Sequence, residues 1–195
     1  MKKYDTIALS GPRACGKTTI ASHLAIQHGY TRIAFADTLR ELALVAGEDF
    51  QNDRIYLADL GDKLRQLMPN FLLEIVRQKV NSIEGPVVIE DVRFPAEVEF
   101  CHHIGAATIR LEIPEEVQLL RLKERDGKVG EEAENLLACL DESALDSVEW
   151  ALQIEAVGDF KILAADLNAF SQTGTFDSTE TTVYRSASTS TEVSA

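Results

Sequence analysis

The stretch Gly11-Pro12-Arg13-Ala14-Cys15-Gly16-Lys17-Thr18 constrains this chain more than any other feature. It has the spacing G-x-x-x-x-G-K-[ST], and both flanks fit that pattern. A short apolar run, Thr6-Ile7-Ala8-Leu9, precedes it, and Ile20, Ala21, Leu24 and Ala25 follow at helical spacing. Strand, glycine loop and helix in that order gather backbone N–H groups and a helix N-terminus around one concavity, an arrangement that holds phosphate. The spacing predicts an ATP-binding loop of Gly11, Arg13, Ala14, Cys15, Gly16, Lys17, Thr18 and Thr19. Lys17 is expected on the β- and γ-phosphates and the Thr18 hydroxyl on magnesium, so the expected cofactors are ATP and Mg2+. Cys15 admits two readings, a thiol whose oxidation blocks the loop or a small side chain tolerated at a variable position.

Strand-like and helix-like periods alternate down the rest of the chain. Residues 31–36 read as a second strand ending at Asp37-Thr38, an N-cap candidate for a helix carrying Leu39, Leu42, Ala43 and Ala46 and stopped by Gly47. Leu57, Leu60, Leu64 and Leu67 form another helical stripe, and Leu72, Ile75, Val76 and Val80 a third. Val87-Val88-Ile89 is wholly apolar and β-branched, as a strand buried on both faces of a parallel sheet should be, and is expected at its centre. A helix over 95–103, a strand over 108–113, a helix opening at Pro114-Glu115-Glu116, a strand over 152–157 and a helix from Phe160 complete the pattern. The reading is α/β, with a five-stranded parallel sheet. Residues 171–195 are rich in Ser and Thr without apolar periodicity and read as a disordered tail; docking through Phe176, Val183 and Tyr184 is the alternative.

With 195 residues, 45% of them hydrophobic, the chain is long enough for one domain with its own core. The net charge of −13 argues against broad binding to nucleic acid or an anionic membrane. Ten acids against the single base Lys161 over residues 131–166 place any anionic ligand in the first two-thirds. Cys15, Cys101 and Cys139 have no disulfide-framework or zinc spacing, and there is no signal-peptide pattern, so a reducing cytoplasm is expected.

The third strand runs into two acids, Glu90 and Asp91, the pattern that brings a carboxylate beside the magnesium of a phosphate-loop protein. Strand alternation lets only one of them face the site; Asp91 is favoured, and Glu90 is the alternative. Arg93 then meets a phosphate. Arg121 and Arg125 lie four residues apart on one helix face leading into Asp126-Gly127-Lys128-Val129-Gly130, whose two glycines suit a hinge. His102 falls on the apolar stripe of its helix and reads as a partly buried structural residue; neither it nor His103 is given a chemical role.

Over residues 4–169 the chain resembles the nucleoside monophosphate kinases, most closely the bacteriophage type of deoxynucleoside monophosphate kinase. The resemblance rests on the phosphate loop, Phe35-Ala36-Asp37-Thr38-Leu39-Arg40-Glu41, Gly61-Asp62-Lys63-Leu64-Arg65 and Asp91-Val92-Arg93-Phe94-Pro95-Ala96-Glu97. It implies a three-layer P-loop kinase fold with a helical acceptor-binding insert at about 37–83 and a short lid at about 121–135. It also implies acceptor binding by Asp37, Arg40, Arg65 and Arg93, and catalysis by Lys17, Asp91, Arg93, Arg121 and Arg125, with Thr18 and Asp91 on the metal. The implied reaction is ATP-dependent phosphorylation of a deoxynucleoside 5'-monophosphate, in host cytoplasm. Another small-molecule kinase such as a dephospho-coenzyme A kinase, or a nucleotide-dependent switch, is the alternative. A homodimer is suggested by the resemblance alone. The chain departs from the phage type after the lid, where Leu140-Asp141-Glu142-Ser143 replaces a histidine-containing stretch.

Overall fold

The computed structural model describes residues 4–47, 49–127, 145 and 147–177. Five strands form one parallel sheet: β1 (Thr6–Ser10), β2 (Thr31–Ala34), β3 (Val87–Val92), β4 (Ala107–Glu112) and β5 (Leu152–Glu155). Their order is β2-β3-β1-β4-β5, so β1, which carries the glycine loop at its end, is the central strand. The apolar run at 87–89, expected at the centre, is one place out, between β2 and β1.

The helices are α1 (Lys17–His28), α2 (Phe35–Ala46), α3 (Arg54–Leu67), α4 (Phe71–Ser82), α5 (Pro95–His103), α6 (Glu115–Asp126) and α7 (Phe160–Thr173). Alternation along β1 separates two cores. Ile7 and Leu9 pack with Ile20 and Leu24 of α1 and Leu163 and Leu167 of α7; Ala8 faces Leu39 of α2, Val76 of α4 and Val98 of α5. The result is three layers, helix, sheet and helix, with α2, α3 and α4 inserted between β2 and β3.

Three features differ from expectation. The second helix starts at Phe35, which places Asp37 inside its first turn rather than at the cap. Phe35 is buried against Phe100, and that burial outweighs the missing cap. Residues 171–177, expected in the tail, are part of the described fold: α7 runs to Thr173, Ser171 is buried with its hydroxyl 2.8 Å from Tyr30 Oη, and Phe176 packs on Phe170. His102, expected partly buried, is exposed, with its ring 3.0 Å from Thr108 Oγ1. The expected lid beyond Gly127, the Leu140–Asp141–Glu142–Ser143 stretch, Cys139, Val183 and Tyr184 lie outside the described residues.

Candidate active site

The phosphate loop joins the central strand to α1, and its backbone could be built from few other residues. Gly11 has φ 140°, and a Cβ there would lie 2.3 Å from the Leu111 carbonyl oxygen of β4. Gly16 has φ 104°, and its Cβ would lie 2.4 Å from the Phe160 ring. No side chain caps the first turn of α1, which leaves its amides directed at the loop. Lys17 Nζ lies over the loop and donates to the Gly11 carbonyl at 2.5 Å and the Pro12 carbonyl at 2.9 Å. Cys15 is fully buried, and burial pushes its thiol up against the opposing pull of Lys17, so it behaves as a packing residue rather than a ready thiolate.

Opposite the loop, β3 carries a bulge. Ala8 pairs with Ile89 and Ser10 with Val92, so β3 advances by one residue more than β1, and Asp91 takes a left-handed φ of 65°. This irregularity defeats the alternation argument, because both acids reach the site. Asp91 lies 3.8 Å from Lys17 Nζ and 2.8 Å from Arg93 Nη2. Glu90, only 5% exposed, pairs with Arg32 of β2 at 2.9 Å and takes a favourable interaction from the Thr18 hydroxyl. Desolvation still raises its pKa, and its Oε2 has no hydrogen-bond partner.

That buried oxygen, with the Thr18 hydroxyl and Asp91, tests whether magnesium fits. Among the described residues no cluster of three or more His, Cys, Asp or Glu side chains could hold a metal by themselves. Magnesium bound through phosphate and water oxygens needs no such cluster, and a hydroxyl with two carboxylates suits it.

The turn from β3 into α5 extends the site toward the inserted helices. Glu97 is buried and accepts from the Arg93 N–H at 2.8 Å and the Phe94 N–H at 3.3 Å, which fixes the start of α5. Burial raises its pKa, opposed by these amides and by Arg65. The Arg65 guanidinium of α3 lies 3.7 Å from the centre of the Phe94 ring and 3.5 Å from Glu97, and also meets Asp62 at 3.3 Å. Arg40 and Asp37 form a partly exposed pair at 2.6 Å on α2.

The two arginines expected in a lid divide. Arg121 lies over the Phe160 ring at 4.7 Å, with Nη1 3.4 Å from the carbonyls of Ala14 and Cys15, and burial lowers its pKa. Arg125 is one turn further along α6 and is engaged in an interaction. Lys17, Asp91 and Arg93 are thus brought together with Thr18 and Glu90 beside them, Arg65 adjoins Arg93 through Phe94, and Arg40 pairs with Asp37, whose charge acts on Glu90. Arg32, Glu97, Gln118 and Phe160 were missed as site residues. Of these only Glu97 left a signal, an acid three residues after Phe94.

Solved structures share this architecture. A gluconokinase from Sinorhizobium meliloti 1021 is similar at TM-score 0.57 and 18% identity, over 89% of this chain and 93% of that one. A shikimate kinase from Bacteroides thetaiotaomicron is similar at 0.56 and 18%, over 85% and 97%. A tunicamycin resistance protein from Deinococcus radiodurans is similar at 0.53 and 18%, over 86% and 95%. At such identity the likeness is one of fold, an α/β P-loop kinase fold. No match was found among curated proteins. The family model described as an AAA domain matches residues 7–138, and with the glycine loop at the end of its central strand the chain belongs to that family.

Proposed function

We propose that the chain is an ATP-dependent kinase that phosphorylates deoxynucleoside 5'-monophosphates. The observation that carries this reading is a continuous run of charge from the phosphate loop to the inserted helices. Lys17 adjoins Asp91 at 3.8 Å, Asp91 adjoins Arg93 at 2.8 Å, and the next residue, Phe94, carries Arg65 of the insert on its ring at 3.7 Å. A donor phosphate on the loop and an acceptor phosphate at Arg93 and Arg65 would face each other across the end of the sheet.

The division of labour follows from that placement. The loop amides and Lys17 bind the donor phosphates; Thr18, Glu90 and Asp91 would hold magnesium, which would neutralise charge on the transferred group. Arg93 and Arg65 orient the acceptor, whose monophosphate suits planar guanidinium forks, and Arg40 on the insert joins them when it leaves Asp37. No general base is needed, because the attacking acceptor oxygen is already an anionic phosphate oxygen at neutral pH. Catalysis is then alignment of two oxygens about phosphorus and stabilisation of a loose transition state.

A second reading, another small-molecule kinase with a different acceptor, is favoured by the Arg40–Asp37 and Arg65–Glu97 pairs, which already satisfy part of both guanidinium groups. The test is coupled ADP release with ATP and magnesium against dGMP, dTMP, dCMP, dAMP, the ribonucleotides, dephospho-coenzyme A, gluconate and shikimate. Turnover that depends on a deoxynucleotide supports the first reading. Turnover with a non-nucleotide or with dephospho-coenzyme A supports the second, and ATP binding without transfer to any acceptor refutes both.

A further inference from the structure

We propose that Gln118 on α6 is a positioning residue that aims the phosphate-loop amides; this rests on the reading of residues 11–18 as a phosphate site. Three successive carbonyls of the loop turn toward α6. Gln118 Nε2 donates to the Arg13 carbonyl at 2.8 Å, and Arg121 Nη1 lies 3.4 Å from the carbonyls of Ala14 and Cys15.

In a trans peptide the C=O of one residue and the N–H of the next point in opposite directions. Holding the carbonyls of Arg13, Ala14 and Cys15 against α6 therefore drives the amides of Ala14, Cys15 and Gly16 toward the loop interior. The Cys15 amide is taken by the Pro12 carbonyl at 3.3 Å, so Ala14 and Gly16 are the two that the clamp presents to an anion.

The loop needs such a hold. Ala14 sits at φ 62°, a left-handed conformation that an alanine does not favour by itself. Gln118 is only 6% exposed, so its amide is fixed by packing rather than free in solvent. Arg121 is pinned in turn over Phe160, whose ring meets Gly16 from the other side. Arg121 thus grips the loop backbone from outside.

The test reads binding rather than turnover. Gln118→Leu removes the donor at similar volume, and Kd is measured for ADP, pyrophosphate and adenosine by calorimetry, alongside the Ala14 and Gly16 amide resonances. Loss of this one hydrogen bond predicts ADP and pyrophosphate binding weaker by about fivefold, adenosine binding unchanged, and both amide resonances displaced. Affinities within about twofold of the unsubstituted chain, with the two resonances unmoved, would overturn the proposal. So would an equal loss for adenosine, which marks a merely structural role. If Gln118→Leu does not fold, Gln118→Asn, whose amide is one methylene too short, carries the same expectations. A wild-type chain that binds neither ADP nor pyrophosphate overturns the phosphate-site reading and this proposal with it. A chain that binds ADP but phosphorylates nothing refutes the kinase reading, and the Gln118 comparison still decides this one.

Discussion

Replacing Gly16 by alanine sets two separable costs against each other. The backbone cost comes from φ 104°, where an L side chain is strained by about 1–3 kcal/mol. The packing cost comes from the Phe160 ring, three atoms of which lie 2.4, 2.6 and 3.1 Å from the added Cβ. The ring is held between the loop and the Arg121 guanidinium, so moving it adds overpacking of about 1–3 kcal/mol. Together they predict a loss of about 2–6 kcal/mol of unfolding free energy for Gly16→Ala. At about 2–4 °C per kcal/mol for a chain of this size, the midpoint falls by 4 °C or considerably more. The assay is urea denaturation of the wild type, Gly16→Ala, Phe160→Ala and the double variant, which closes a double-mutant cycle. In the Phe160→Ala background the alanine should cost only its backbone part, so the two changes couple favourably by about 1–3 kcal/mol. A Gly16→Ala variant as stable as the wild type would refute both costs, and one whose penalty persists unchanged without the ring would refute the packing argument.

Lys17→Ala should retain the wild-type circular dichroism and melting midpoint while lowering kcat by about 100-fold or more, since it removes a cation aimed at developing charge; unaltered turnover would contradict the proposed chemistry. Glu97 has its pKa raised above 4.5 by burial, so the folded state binds more protons than the unfolded one in the window just above that value. Its contribution therefore weakens as pH rises from about 4.5 toward the folded-state pKa, and Glu97→Gln should remove that decline from a stability-versus-pH profile; parallel profiles would refute it. Phe176 is buried against Phe170, so Phe176→Ala should destabilise the chain by about 3 kcal/mol in urea denaturation, whereas a change within about 0.5 kcal/mol would show that its contacts do not hold in solution.

The strand-loop-helix order, the five parallel strands and the inserted helices follow from local signals: apolar runs of β-branched residues, stripes at helical spacing, and glycine or proline at the ends. Sheet order is not local, and β3 was expected at the centre because burial on both faces looks the same at any interior place. That an acid at the end of the third strand lies beside the glycine loop was legible from Glu90-Asp91, although the pairing of Asp91 with Lys17 and Arg93 was not. That Glu90 also reaches the site was not, because period-two alternation holds only while the ladder is regular, and the bulge depends on how two distant segments register. Arg32, Gln118 and Phe160 carry no sequence signal of their own. Each acts through a partner far along the chain, Glu90, Arg13 and Gly16 respectively. Phe176 was legible only as an anchor in the docking alternative for the tail, since two aromatics in a Ser- and Thr-rich stretch leave no periodicity.

The contact between Gly16 and Phe160 also bears on the order in which the protein matures on the ribosome. Residues 11–18 emerge early, yet the ring that backs their turn belongs to the last described helix, and both strands beside β1 lie beyond residue 86. Local sequence is enough to start α1, but the shape of the loop waits for contacts of long sequence separation, which form late and slowly. A nascent chain stalled before residue 160 would carry the complete glycine motif and still lack its packed geometry. Nucleotide capture would then be a property acquired near the end of synthesis, tying ligand binding to completion of the fold.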